Sequence, residues 1–524
     1  MNVPNPSPPS AEGRNGLEDG GPWARLLGLL CLFQLLVWTA IPLFLYRNVS
    51  LDVAEIVSWG HEWQMGYSKH PPLIAWISEA ARVISGAGHP WLIYLCGQLV
   101  VVATFWAVWR FARRLLSAEE SFLAVLALAG TYFCTEISLE FNHGMLLLPF
   151  FSLIGWFAFE ALTERRWKWW ILLGCAIGLG MLTKYEMAIL AVCLAGFIVV
   201  DAKSRVLLKR PHPYVALAIS LLIFSPNLKW LIDHHFISLT YAQSRMEGKP
   251  GVLDHLLGPL MFVLNQLLYL LPLFLLMIPW LGWLGLPQIK AATNVQRWNR
   301  RLVMVLGMAP FALFLLLSLI TGKALHPMWG IPLLPFVPIL LLMCFRRRDF
   351  AGAGKQTLLL GTALMGIMAA IGVAMPLLGP FLTKKALREQ FPGQELAARV
   401  DERWHSRVPD KPMPVIAGAR WLADNIAYYS PERPSVLCDQ GVLSADMAHL
   451  DEAGCPWTSI AQLNRGGGML VWYAAREGYA IPAALRETCP RAQNMDALKL
   501  RLQTSADLPP VIVGVAIVPP DPQR

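Results

Sequence analysis

The chain has 524 residues, 55% of them hydrophobic and 15% charged, with a mean hydropathy of +0.47. Soluble domains carry about 25% charged residues, so an ordinary cytosolic enzyme is excluded, and so is a disordered chain, which combines few apolar residues with high charge. Lys and Arg outnumber Asp and Glu by 44 to 35, an excess that the placement of the charges explains without nucleic acid as a partner.

In chain order, residues 1–22 are polar and rich in Pro, Gly and Ser. They lack the charged-then-apolar pattern of a cleaved signal and read as a disordered cytoplasmic tail. Eleven apolar blocks follow, at 25–46, 92–109, 119–136, 146–162, 169–183, 187–201, 213–231, 256–284, 302–320, 329–345 and 356–380. About 20 apolar residues cross a bilayer core of roughly 30 Å. Each block is predicted to be helical, because backbone groups in lipid must be satisfied within their own segment. With the N-terminus in the cytoplasm, 20 of the 44 Lys and Arg fall in inner segments and 8 in outer loops; the other 16 lie beyond residue 380. That is the positive-inside pattern.

Eleven spans place residues 381–524 outside, a length that suits one small domain. Strand-like runs at 413–417, 435–438, 469–472 and 511–518 and helix-like runs at 418–429 and 496–504 predict an α/β unit. The expected architecture is mainly α: a polytopic transmembrane helix bundle over 23–380, a first outer loop over 47–91, and an extracytoplasmic α/β domain over 381–524. The nine cysteines form no C-x-x-C pair, which argues against a zinc or redox framework. Cys438, Cys455 and Cys489 fall in an oxidising compartment, where one disulfide is possible and the sequence leaves its pairing open.

The outer loops carry acids, histidines and aromatics that topology does not require. In the longest, Asp52, Glu55 and Trp59 stand at i, i+3 and i+7, one face of a short helix expected to lie on the membrane surface and to end at Gly66-Tyr67. Pro71-Pro72 forces an extended turn before a second surface helix over 73–84. The loop thus presents a carboxylate, Asp52, and a cation, Lys69. Lys184, Arg245 and Lys323 are further outer cations, and ionisable groups set against the positive-inside bias are where function is first sought. His61-Glu62 opens like a zinc helix, but Met65 stands where the second histidine belongs, so no metal is expected.

The run Asp52-x-Ala54-Glu55, Trp59-Gly60 and Gly66-Tyr67-x-Lys69-His70-Pro71-Pro72-Leu73 resembles the first periplasmic loop of the family 39/83 glycosyltransferases of the GT-C fold. These include protein mannosyltransferases, aminoarabinose transferases and lipid A galacturonosyltransferases. The likeness is looser through residues 178–185 and does not extend into the C-terminal domain. It implies an enzyme of the bacterial inner membrane that moves a sugar, with inversion, from a polyprenyl-phosphate donor to a lipid A, glycan or protein acceptor. The donor is a substrate, and no cofactor is implied.

Asp52 then takes the place of the catalytic carboxylate, with Glu55 as the alternative base. Lys69 takes that of the phosphate contact, with Lys184, Arg245 and Lys323 as companions. Tyr67, His70, Glu140, His143, Tyr185 and His326 complete the expected pocket. A second acid is common in the family at the start of the fourth span; His143 stands there in this chain, so either His143 or nearby Glu140 does its work. The chemistry fits these residue types: a base contributes about 10²–10⁴-fold in rate, and fixed cations stabilise charge growing on the departing phosphate. A transporter or flippase for a lipid-linked glycan is the alternative. It would place ionisable groups or broken helices at the midplane, where these spans hold almost none. A membrane-anchored assembly factor would not need eleven spans.

Overall fold

The computed structural model describes residues 21–86, 88–244, 251–281, 288–289, 293–346, 350–438, 450, 452–504 and 506–521. Helix α1 (Pro22–Leu45) leads into two loop helices, α2 (Leu51–His61) and α3 (Leu73–Ser85). The bundle continues with α4 (Trp91–Ala112), α5 (Ala118–Ala129), α6 (His143–Glu164), α7 (Trp167–Met181), α8 (Met187–Val200), α9 (Ala202–Arg205) and α10 (His212–Asp233). After it come α11 (Ile237–Ser244), α12 (Asp254–Tyr269), α13 (Leu271–Leu281), α14 (Asn294–Thr321), α15 (Val337–Cys344) and α16 (Phe350–Thr383). Every predicted apolar block contains helix among the described residues. Among the described residues six helices are long and apolar enough to cross a membrane alone, and three bent pairs raise the number to nine. The two remaining blocks make the shorter helices α7 and α5.

Block 119–136 is predicted to be one helix, but α5 stops at Ala129 and a 3-10 turn follows at Glu136–Leu139. The hydroxyls of Thr131, Thr135 and Ser138 each bond back to a carbonyl three or four residues earlier, a local competitor to regular helix. That break swings Glu140 and His143 toward the loop helices.

A two-residue pairing of β1 (Gln288–Ile289) with β2 (Phe345–Arg346) precedes the C-terminal domain. The domain begins with α17 (Gly393–His405) and continues with β3 (Val415–Gly418), α18 (Arg420–Tyr429), β4 (Ser435–Cys438), β5 (Gly468–Tyr473), β6 (Gln493–Leu500) and β7 (Val511–Val518). These strands form one sheet in the order β4-β3-β5-β7-β6, parallel around β3 and antiparallel around β7. The helix expected at 496–504 is instead the edge strand β6. Buried Leu498 and Leu500 flank exposed Lys499, so the two-residue period governs, and charge on an edge strand discourages pairing with other chains.

The domain is not a separate appendage. One apolar core runs from Val53, Val57 and Ile74 of the loop helices to Leu396, Trp404, Leu422, Ile426 and Val471 of the domain. Helix α2 packs against both α3 and α18, so the expected surface helix is interior. It also ends at His61, ahead of Gly66. Gly60 lets it close on the backbone of α3 at Ala75, where a Cβ would collide. Polar latches fix the docking. Arg433 grips Glu79 through both guanidinium ends, Nη2 to Oε2 at 2.6 Å. Arg82 Nη2 donates to the Tyr428 carbonyl at 3.1 Å, and Ser435 Oγ donates to Glu62 Oε1 at 2.7 Å. Cys438, Cys455 and Cys489 are buried thiols, and Cys455 Sγ donates to the Cys438 carbonyl at 3.3 Å.

Candidate functional site at the loop–domain interface

Helix α2 starts because Ser50 caps it, its hydroxyl accepting the Val53 N–H, and because Asp52 favours the positive end of the helix dipole in the first turn. Three residues on, Glu55 lies on the same face. Residues 62–72 return Lys69 to that face through a tight turn in which the Tyr67 N–H donates to the His70 carbonyl. Asn227 Nδ2 and Ser238 Oγ hold the turn from outside by donating to the carbonyls of Met65 and Tyr67. Gly66 is needed there, since a Cβ would run into the Trp230 ring.

The charged groups meet at this point. Lys69 Nζ donates to Glu55 Oε1 at 2.5 Å, and Arg420 Nε of the C-terminal domain lies 3.4 Å from the same oxygen. Asp424, one turn along α18, accepts from Ser58 Oγ at 2.9 Å through Oδ1, while its buried Oδ2 has no partner. Trp59 and Tyr241 flank Lys69, each ring centroid 5.6 Å from Nζ. Tyr67 stacks on Trp59 and meets Trp457 edge-on.

The electrostatics sort these acids by role. Burial raises the Glu55 pKa, but Lys69 and Arg420 outweigh it and leave Glu55 below the ordinary value and ionised. Asp52 is raised, first by burial and then by Glu55, with Lys69, Arg420 and Arg388 pulling back. It lies deep yet keeps some accessible surface. No hydrogen bond to its carboxylate is found among the described residues, so it has free lone pairs. Burial and Asp52 push Glu140 up to about 8, and burial and Glu55 push Asp424 up to about 7. Asp52 and Glu140 thus form a neighbouring pair of which one member holds a proton near neutral pH.

On the other flank Lys184 pairs with buried Glu186 at 2.8 Å. The rings of His70 and His143 lie 4.0 Å apart, and His143 Nε2 is buried without a partner. Burial, then His143, Lys184 and Lys69, keep His70 neutral. Tyr185 is turned to Asn227, donating to Oδ1 at 3.2 Å. Lys323 and His326 are placed by local bonds just past the C-terminal end of α14: Ser318 Oγ donates to the Lys323 carbonyl and the Met328 N–H to His326 Nδ1. Arg245 lies outside the described residues. The structure therefore gathers Asp52, Glu55, Tyr67, Lys69, His70, Glu140, His143 and Lys184. Among the described residues no three His, Cys, Asp or Glu side chains are gathered to hold a metal ion.

Arg388, Arg420, Asp424, Glu186 and Tyr241 are additions that reading the sequence did not supply. Arg420 had one available signal: it follows Gly418-Ala419 at the carboxyl end of a parallel strand, the edge where open α/β sheets present ligand-binding groups.

Comparison with known proteins bears on the fold. The model of the dolichyl-phosphate-mannose-protein mannosyltransferase family matches residues 69–230. ArnT from Cupriavidus metallidurans, solved bound to undecaprenyl phosphate, superposes with a TM-score of 0.61 at 16% identity, over 96% of this chain and 99% of that one. The chain has the GT-C fold that ArnT shows. Two curated relatives come from Rhizobium johnstonii. The lipid A galacturonosyltransferase RgtD is 27% identical over 41% of this chain and 46% of its own length. The lipopolysaccharide core galacturonosyltransferase RgtA is 22% identical over 93% of this chain and 94% of its own. The first of these matches spans under half of the relative. The mannosyltransferase family model begins at Lys69 and leaves out Asp52 and Glu55.

Proposed function

We propose that this protein transfers a sugar from a polyprenyl-phosphate donor to a lipid or glycan acceptor at the outer face of a bacterial inner membrane. The observation that carries the reading is Asp52: a carboxylate with no hydrogen bond among the described residues, beside a cluster holding buried Lys69 and half-buried Arg420, on a helix that the C-terminal domain packs against. The names of the relatives support a uronic acid as the sugar and a lipopolysaccharide component as the acceptor.

In this mechanism the acceptor O–H gives its proton to Asp52 as its oxygen attacks the anomeric carbon. The bond from that carbon to the phosphate oxygen breaks, and its electron pair stays on the phosphate. Direct displacement inverts the anomeric centre. Lys69 stands where it meets the charge that develops, and a preorganised cation in a site shielded from water is worth more than in bulk. Glu140, protonated beside Asp52, keeps the pair at one negative charge and so limits repulsion of the phosphate. No metal enters the scheme.

The test is Asp52→Asn in the full chain, with mass spectrometry of envelope glycolipids from cells with wild type, variant or neither. Loss of one sugar increment in the variant, with normal membrane insertion, supports the reading. An unchanged increment in the variant rejects Asp52 as the base. Cysteine accessibility labelling of residues 62–64 checks the side of the membrane, and labelling only from the cytosol would reject the outer-face assignment.

A further inference from the structure

Glu55 is the least expected member of the cluster. A base must have a free lone pair, yet Glu55 Oε1 is the shared partner of Lys69 Nζ at 2.5 Å and Arg420 Nε at 3.4 Å. Residue 55 is 7% exposed and Lys69 5%. Among the described residues Glu55 is the carboxylate at contact distance from both cations, while Asp52 lies within their electrostatic reach. Arg420 Nε, buried, makes no hydrogen bond among the described residues despite its nearness to Glu55, so the guanidinium is held in place with a donor unspent there. Two cations arriving from different parts of the chain, an unspent donor and an acid between them describe a seat for a second anion.

We propose that Glu55 is an internal counter-anion standing, in the empty enzyme, where the donor's phosphate is drawn, and that Arg420 of the C-terminal domain is the second cation on that phosphate. This rests on the polyprenyl-phosphate reading above and assigns its phosphate site. Glu55 is a positioning residue: it keeps Lys69 and Arg420 apart and extended while the site is empty, and it competes with phosphate for both. The competition has a direction in the reaction. The donor is a phosphodiester; when the bond to the anomeric carbon breaks, the lipid keeps the electron pair and becomes a phosphomonoester with more negative charge. Glu55 opposes that charge, so it speeds release of the spent carrier. The C-terminal domain is in turn part of the donor site, not only a cover over the acceptor.

The test uses the full-length protein in nanodiscs, with undecaprenyl phosphate as probe and undecaprenol, which lacks the phosphate, as control. Glu55→Gln should bind undecaprenyl phosphate about tenfold more tightly, or about 1.4 kcal/mol, with undecaprenol unchanged. Its steady-state rate should fall while its single-turnover rate holds. Arg420→Gln should bind the phosphate at least about tenfold more weakly, with Arg420→Lys intermediate. Thermal melts of each variant establish that it is folded; if Arg420→Gln does not fold, Arg420→Lys, which keeps the charge but loses the planar fork, decides the role of Arg420. Equal or weaker phosphate binding by folded Glu55→Gln overturns the counter-anion role, and wild-type-like binding by folded Arg420→Gln and Arg420→Lys overturns the phosphate contact. If the wild-type chain does not distinguish undecaprenyl phosphate from undecaprenol, the donor reading itself fails along with this inference.

Discussion

Two aspartates, one at each end of the bundle, use the same side chain in opposite ways. Near the end of α8, Asp201 caps the next helix, accepting from the Ser204 N–H at 3.0 Å and Ser204 Oγ at 2.8 Å. It also accepts from Trp298 Nε1 at 2.9 Å and pairs with Arg301 at 3.3 Å. Its lone pairs are taken, and the result is a rivet joining α8, α9 and α14. At the other end Asp52 has cations and acids within electrostatic reach and no hydrogen bond among the described residues. A carboxylate that is fully bonded holds a fold together; one that is buried and left unbonded is a cost the fold bears elsewhere, and such sites are candidates for chemistry.

The contrast can be broken by exchanging the expected outcomes. Asp52→Asn should lower transfer by about 10²–10⁴-fold with little change in melting temperature, since it removes no hydrogen bond; a large stability loss with retained transfer would erase the distinction. Next in size, Arg433→Ala leaves Glu79 charged and buried at the loop–domain junction. It should cost about 3–5 kcal/mol, seen as a lower melting temperature and faster proteolytic release of the C-terminal domain.

Asp201→Asn should do the reverse of Asp52→Asn, costing about 1–3 kcal/mol through Ser204 and Trp298 while the folded fraction keeps its specific activity. Glu140, held at about 8 mainly by burial, should give the rate an alkaline limb near that pH, absent in Glu140→Gln. Because its folded pKa is raised above the ordinary 4.5, the folded state keeps a proton that the unfolded chain loses. Its contribution to stability therefore falls as pH rises from about 4.5 to about 8 and is level beyond. Smallest is Arg301→Gln: its guanidinium is mostly exposed, so about 0–1 kcal/mol is expected, read by the same melts.

The membrane-spanning helices were legible because lipid imposes a rule that acts on each segment alone: about 20 apolar residues, all backbone bonds internal. The loop motif was legible because Asp52, Glu55, Trp59 and Lys69 lie within 18 residues of one another. The edge strand at 493–500 was misread because its charges mimic a solvated helix face and only its pairing with β7 distinguishes the two. Helix α2 was placed on the surface because nothing local announces that α18, some 370 residues later, will cover it.

What the amino-acid order determined by itself is the number and place of the apolar segments, the uneven spread of basic residues among the loops between them, and an acid and a lysine in the loop after the first segment. These follow from short-range rules, the hydration cost of backbone and charge. What only the tertiary structure decided is the company those residues keep. Arg420 and Asp424 reach Glu55 and Ser58 because α18 docks on α2, and docking depends on burying apolar faces from distant segments together. The unfolded chain gives no local sign of it, so the pairing of Glu55 with two cations could be read only after the fold had closed.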